Sequence, residues 1–125
     1  MTKTLLLFGI SFCALSVVMG AFGAHSLKQK LSEYSMSVYE KAVLYQFFHA
    51  FAIIFVASIG KFFATNEFNI CGLLFLFGIV LFSGSLFILS ITDIKWLGAI
   101  TPVGGLFFIV GWIILFLKIL NSKLF

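Results

Sequence analysis

The sequence predicts an all-α integral membrane protein, an antiparallel four-transmembrane-helix bundle with a short interfacial helix between the first and second spans. Three observations predict this fold class. Only 10% of the 125 residues are charged, whereas soluble domains average about 25%. The mean hydropathy is +1.22, and the 18 phenylalanines need no polar partner where they face lipid. The apolar residues also gather into four stretches, each at least as long as the roughly 20 residues that cross a bilayer. A chain of this length forms a single membrane domain, residues 1–125.

Short polar segments separate the four spans, which are predicted at residues 5–24, 42–64, 70–92 and 96–120. For the first span a secretory signal peptide is an alternative, with Lys3 as its basic region and Ala21 to Gly23 as its cleavage site. The apolar run is longer than the about 7–15 residues of a signal peptide, and more hydrophobic chain follows it, so a membrane span is preferred.

The polar stretch at 26–41 contains two capping boxes, Ser26 to Gln29 and Ser37 to Glu40. In this motif a serine and a Glu or Gln three residues later satisfy two backbone donors reciprocally. The first box predicts a short interfacial helix that starts near Leu27, and the second predicts a fresh helix that starts near Val38. An ordinary loop is the alternative for the first part.

Charge says little about orientation. The chain has eight lysines and no arginine, divided four against four between the two membrane faces. Short connections place both termini on one side, and the amino terminus favours the cytoplasm for that side. The lysines are too scattered for a nucleic-acid surface, but they suit anionic lipid headgroups. Expected partners are therefore membrane lipid and a second copy or another membrane protein, and no nucleic acid.

Polar residues inside the spans fall at similar depths. Helix rise is about 1.5 Å per residue, which places His49 ~12 Å inside the Lys41 level, and Ser83 and Ser85 ~10–14 Å inside Thr92. The sequence therefore predicts a polar pocket with His49 at its centre and His25 at its rim. Its candidate members are His49, Tyr45, Gln46, Ser83, Ser85, Thr101 and His25. An intramembrane histidine can relay protons or contact a ligand, or it can be neutral and hydrogen-bonded to fix helix packing.

Small residues and one proline predict where helices approach and where a span breaks. Gly20, Gly23 and Gly84 are expected at close helix contacts. Pro102 lacks a backbone donor and would leave the Gly98 carbonyl without its helical partner. With Gly104 and Gly105 beside it, this is the clearest predicted break, either a kink or an ion-coordinating site.

No chemistry for catalysis is visible. The sequence lacks a P-loop, the GxSxG and HExxH motifs, and paired intramembrane carboxylates. Cys13 and Cys71 lie in apolar segments without metal-ligand spacing. We therefore expect no enzyme activity and no catalytic residue, cofactor or metal site.

Four motifs, in order along nearly the whole chain, carry a family resemblance. They are Gly20 to His25, Tyr45 to His49, Leu81 to Leu86, and Thr101 to Gly105 with Gly111 and Trp112. With these the sequence resembles the bacterial domain-of-unknown-function family 423, also called uncharacterised protein family 0382 and related to eukaryotic transmembrane protein 256. The resemblance implies a four-span protein of the bacterial cytoplasmic membrane, and it implies no established activity.

Two functions remain as hypotheses. The first is a non-enzymatic structural or accessory bundle that binds lipid or a partner protein. The second is a small oligomeric permease or proton-coupled carrier that uses the polar cluster around His49.

Overall fold

The computed structural model describes residues 1–123, and this part of the chain is helical with no β-strand. It contains four helices that are long and apolar enough to cross a membrane. The predicted all-α membrane bundle is confirmed. The helices are α1 (Thr2–Leu27), α2 (Glu33–Phe62), α3 (Asn69–Thr92) and α4 (Lys95–Leu120).

Three of the four helices contain turns that depart from α geometry. α1 ends in the wider π turn Gly23–Leu27, and α3 contains a second π turn at Ile79–Ser83. α4 begins with the tighter 3-10 turn Lys95–Ala99 and becomes α-helical at Thr101. α2 is α-helical throughout its 30 residues.

α2 is the central helix, since it packs against both α1 and α3, and α3 in turn packs on α4. The main core lies between these helices and includes the buried Ile53, Val56, Phe75 and Phe108. At one end of the bundle the Thr2 hydroxyl donates to Oδ1 of Asn69, which joins the starts of α1 and α3. The end of α4 lies on the same side, beside Glu67. The described chain therefore begins and ends at one face of the membrane.

The interfacial helix between α1 and α2 was predicted wrongly. Ser26 belongs to the π turn that ends α1, and α2 begins at Glu33 rather than near Val38. The true N-cap is Ser32, whose hydroxyl accepts a hydrogen bond from the Ser35 backbone N–H at 3.1 Å. Ser37 instead donates its hydroxyl to the Tyr34 carbonyl inside the helix. The polar segment is thus mostly the first two turns of α2.

The predicted helix break at Pro102 is also different in the structure. Pro102 lies at the very start of the α-helical part of α4, where a proline needs no donor and its fixed φ suits the helix. The Thr101 hydroxyl donates to the Leu97 carbonyl at 3.5 Å. The proline thus marks a change from 3-10 to α geometry rather than a gap in an α-helix.

Only some of the glycines predicted at close contacts are needed there. A Cβ on Gly23 would lie 2.5 Å from the Tyr39 ring, and a Cβ on Gly104 would collide with the Phe82 backbone. Gly20 has ordinary room, with Val43 at 3.5 Å, and Gly84 faces open space, so the expectation of close packing at these two glycines is wrong. Gly105, which was predicted as part of the break at Pro102, also has ordinary room, since its Cβ would meet the Phe82 ring at 3.7 Å.

Two further glycines, at neither of which the sequence predicted a close contact, hold α3 and α4 together. A Cβ on Gly78 would overlap the Phe108 ring, and one on Gly111 would lie 2.7 Å from the Phe75 ring. Each helix thus offers a glycine notch to an aromatic ring of the other. This brings the two helices close at the level where His49 lies.

Candidate functional site

His49 lies near the middle of α2 with both ring nitrogens occupied. Its Nε2 receives a hydrogen bond from the Trp112 indole Nε1–H on α4, with the two nitrogens 3.2 Å apart. Its Nδ1 lies 2.8 Å from the Tyr45 backbone carbonyl one turn earlier. His49 therefore joins α2 to α4 in the interior of the bundle.

These partners fix the tautomer of the imidazole. An indole nitrogen can only donate, so Nε2 of His49 must be the acceptor and carry no proton. A carbonyl can only accept, so the proton is on Nδ1 and points to Tyr45. His49 is thus a neutral imidazole, and a second proton on Nε2 would require the Trp112 bond to break.

Aromatic rings enclose this imidazole. The Phe108 ring stacks on it with centroids 3.4 Å apart and planes 11° apart. Phe75 and Trp112 lie at centroid distances of 5.7 and 6.1 Å, and the Tyr45 ring at 6.0 Å. We call these four rings, Tyr45, Phe75, Phe108 and Trp112, the aromatic box. Inside it the His49 side chain is only 6% exposed.

The residues predicted for one polar pocket form separate small pairs instead. The Ser85 hydroxyl lies 2.8 Å from the Thr101 hydroxyl and joins α3 to α4. The Gln46 amide donates to the Phe12 carbonyl at 3.3 Å and joins α2 to α1. His25 is exposed in the π turn that ends α1.

Tyr45 and Ser83 complete the predicted set and differ from each other in accessibility. Tyr45 is 41% exposed, and its ring packs on Phe82 at 4.6 Å. Ser83 is fully buried in the π turn of α3, and its hydroxyl has no hydrogen-bond partner. Of the predicted pocket, Tyr45 is the member that pairs with His49, through its backbone carbonyl and its ring.

The reason for this difference is the reference level chosen for α2. The turn at 93–94 lies beside Ser32 and Ser35, and so does the start of α4. Depth in α2 should therefore be counted from Glu33 and not from Lys41. Counted in this way, His49 lies ~24 Å deep and Trp112 ~26 Å deep, and Phe75 lies ~26 Å inside Thr92. These three side chains meet about two turns deeper than Ser83.

Sequence reasoning missed Trp112 and the two phenylalanines as partners of His49. A signal for Trp112 was present, because it follows a glycine in an otherwise aliphatic stretch and offers a donor at the depth of His49. No comparable signal distinguishes Phe75 or Phe108 from the other sixteen phenylalanines.

Among residues 1–123 no group of three or more His, Cys, Asp or Glu side chains is close enough to hold a metal ion. Cys13 and Cys71 are free thiols. The absence of metal, cofactor and catalytic residues stays a prediction.

The four membrane-capable helices define the class of this chain, a small multi-pass membrane protein. Relatives along nearly the whole chain agree. "UPF0382 membrane protein SH2409" of Staphylococcus haemolyticus (strain JCSC1435) is 48% identical over 116 residues, which is 93% of this chain and 94% of the relative. "UPF0382 membrane protein YwdK" of Bacillus subtilis (strain 168) is 42% identical over 114 residues, 90% of this chain and 93% of the relative.

The family itself is identified by a profile with the description "Protein of unknown function (DUF423)", which matches residues 19–105. The chain belongs to the DUF423 family, and the resemblance drawn from its four motifs is confirmed. No solved structure matches it significantly.

Proposed function

We propose that this protein is a non-enzymatic structural or accessory component of the bacterial cytoplasmic (inner) membrane, which binds lipid or a partner membrane protein. The partner is another protein or a second copy of the chain. The observation that carries the proposal is the closed state of His49, whose nitrogens are both paired and whose ring is buried with Phe108 stacked on one face.

A proton relay or a general base needs a free nitrogen that a proton can reach. In this bundle the only lone pair of the imidazole is engaged by Trp112. Breaking that bond would leave an indole N–H without a partner near the middle of the bilayer, where water is absent. These contacts support a structural histidine that fixes the spacing of α2 and α4.

The cytoplasmic location of the termini is part of this proposal. The described chain begins and ends at one membrane face, which supports a common side for both termini. Reporter fusions at each end, one active only in the cytoplasm and one only outside it, test the side. Activity of the external reporter at either end would contradict the proposed orientation.

A proton-flux assay tests the structural role against the carrier. Purified protein is reconstituted in liposomes that contain a pH-sensitive dye, and a membrane potential is imposed. We expect wild-type liposomes and His49→Gln liposomes to acidify at the rate of protein-free liposomes. A wild-type flux that His49→Gln abolishes, in a variant that still folds, would overturn the structural assignment.

Crosslinking in cells should in addition capture a partner or lipid. A monomer that captures neither would contradict the accessory role.

A small oligomeric permease or proton-coupled carrier is the second candidate, and Ser83 is the observation that favours it. Its hydroxyl is buried without a partner in a π turn, and such turns are frequent at functional sites. Next to it, Gly84 faces open space. A polar group in this position can bind a water molecule or an ion transiently as it passes through the bundle.

Ser83→Ala separates the two roles. An unsatisfied buried hydroxyl costs roughly 1–3 kcal/mol, so a structural bundle should become more stable, by up to about 1 kcal/mol, when the hydroxyl is removed. A carrier should lose flux with no gain in stability. The matched control is Ser85→Ala, which removes the bond to Thr101 and should lower stability by about 1 kcal/mol.

A further inference from the structure

A cleft of about 720 Å³ opens at the end of the bundle that lies opposite the termini. It lies between the turn before α2 and the turn that joins α3 to α4. Its volume is in the range of small-molecule sites, roughly 300–1,000 Å³. The lining residues that matter here are Lys30, Lys95, Asp93, Ser32, Ser35 and Ser90.

The charged groups of the cleft carry an excess of positive charge. Two lysines, Lys30 and Lys95, face one carboxylate, that of Asp93. Among residues 1–123 neither lysine forms an ion pair or a side-chain hydrogen bond. Both ammonium groups are therefore available to a ligand, and they come from separate turns, so a single anion between them would bridge the two.

The other walls of the cleft combine hydroxyls with apolar surface. Ser32 and Ser35 contribute hydroxyls from the start of α2, whereas the buried Ser90 on α3 donates its hydroxyl to the Phe87 carbonyl. The apolar wall consists of Leu31, which is half-buried, and Ile91 in the last turn of a membrane span, whose side chain is exposed. A ligand in the cleft would thus meet cations and hydroxyls on one side and the edge of the hydrocarbon layer on the other.

We propose that this cleft binds the phosphate group of an anionic glycerophospholipid, with Lys30 and Lys95 on the phosphate and Leu31 and Ile91 beside the acyl chains. The inference rests on the proposed accessory function and names lipid as its partner. A soluble phosphate would satisfy the same lysines, but it would leave the apolar wall uncovered. The lipid is therefore the source that matches the whole cleft.

Native mass spectrometry of the detergent-solubilised full chain tests the proposal. The protein is titrated with phosphatidylglycerol and, in parallel, with phosphatidylcholine of the same acyl chains. A lysine that contacts the lipid phosphate contributes about 1 kcal/mol, which is roughly a five-fold gain in affinity for anionic lipid. Lys30→Gln/Lys95→Gln should then bind phosphatidylglycerol roughly 25-fold more weakly than wild type. Asp93→Asn should bind it about five-fold more tightly.

The matched control is Lys28→Gln/Lys41→Gln, which removes the same charge from the same membrane face at two exposed lysines outside the cleft lining. It should keep wild-type affinity. Equal losses in both double variants, or no loss in the cleft variant, would overturn the site. So would equal affinity for the two lipids.

A third arm distinguishes the two sources of phosphate. Ammonium phosphate at millimolar concentration should not displace phosphatidylglycerol, because it lacks acyl chains. Displacement would mean that the cleft takes a soluble anion, and it would overturn the lipid assignment. The flux assay on His49 is independent of all these arms, so a failure of lipid binding leaves the structural role of the bundle separately testable.

Discussion

Substituting Gly104 by alanine should separate α3 from α4. A Cβ at this position would lie 2.7 Å from the Phe82 Cα and 2.8 Å from the Leu81 carbonyl carbon. Ordinary carbon contacts are about 3.5–4.0 Å, so the helices would have to move apart by roughly 0.8–1.3 Å at this point. The colliding atoms are backbone, and no side-chain rotation can relieve them.

The expected loss of stability follows from this movement. A gap of about 0.5–1 Å removes a quarter to a half of the dispersion energy of the contacts that line it. Overpacking typically costs about 1–3 kcal/mol, and a collision with backbone belongs at the upper end. Alanine's better helix propensity returns up to about 1 kcal/mol. The net prediction for Gly104→Ala is a loss of about 2 kcal/mol in the free energy of unfolding.

The neighbouring glycine provides the control. A Cβ on Gly105 would lie 3.7 Å from the Phe82 ring, an ordinary contact, so Gly105→Ala should be neutral or stabilising by up to about 1 kcal/mol. Unfolding of both variants by sodium dodecyl sulfate in mixed micelles, followed by circular dichroism, measures the difference. If Gly104→Ala unfolds at the same detergent fraction as Gly105→Ala, the close contact between α3 and α4 is refuted.

Two further predictions concern single hydrogen bonds. Trp112→Phe keeps a ring in the aromatic box but leaves Nε2 of His49 without its donor, so the free energy of unfolding should fall by roughly 1–3 kcal/mol. Trp96→Phe at an exposed position should leave it unchanged in the same detergent titration, and equal effects would contradict the His49 bond. Ser32→Ala removes the N-cap of α2 and should cost about 0.5–2 kcal/mol, whereas Ser37→Ala should cost little. A larger loss of stability for Ser37→Ala than for Ser32→Ala would support the helix start near Val38 that the sequence predicted.

The spans were predictable because bilayer thickness constrains the length of an apolar run. The residues at which the helices begin and end were less predictable. The helix predicted at 5–24 extends to Thr2–Leu27, since hydrogen bonding continues through the headgroup layer after the apolar pattern stops. The serine that caps α2 could not be chosen from the sequence alone. Ser37 has the fuller capping motif, but Ser32 takes the role, since its hydroxyl accepts from the Ser35 backbone N–H while Ser37 donates back to the Tyr34 carbonyl.

The candidate site was predictable in its centre and not in its partners. An ionisable side chain within a span is identifiable from the sequence, and His49 is indeed buried. Its partners depend on how the helices are staggered along the bundle. Counting depth on α2 from a residue eight positions too late predicts Ser83 as the neighbour of His49 instead of Trp112. The predicted depths on α2 were counted from Lys41, so one wrong reference level displaced the whole predicted pocket.

The length of α2 also bears on the membrane in which the protein lies. Lys41 and Lys61 are both exposed on this helix and are twenty residues apart, which corresponds to ~30 Å along its axis. This distance equals the thickness of a typical hydrocarbon core, about 30 Å. An uninterrupted helix cannot shorten, so in a thinner bilayer it must tilt or deform the lipid around it. Because α2 packs against both α1 and α3, such a tilt would involve the bundle as a whole. The spacing of two lysines on one helix thus makes this protein sensitive to bilayer thickness.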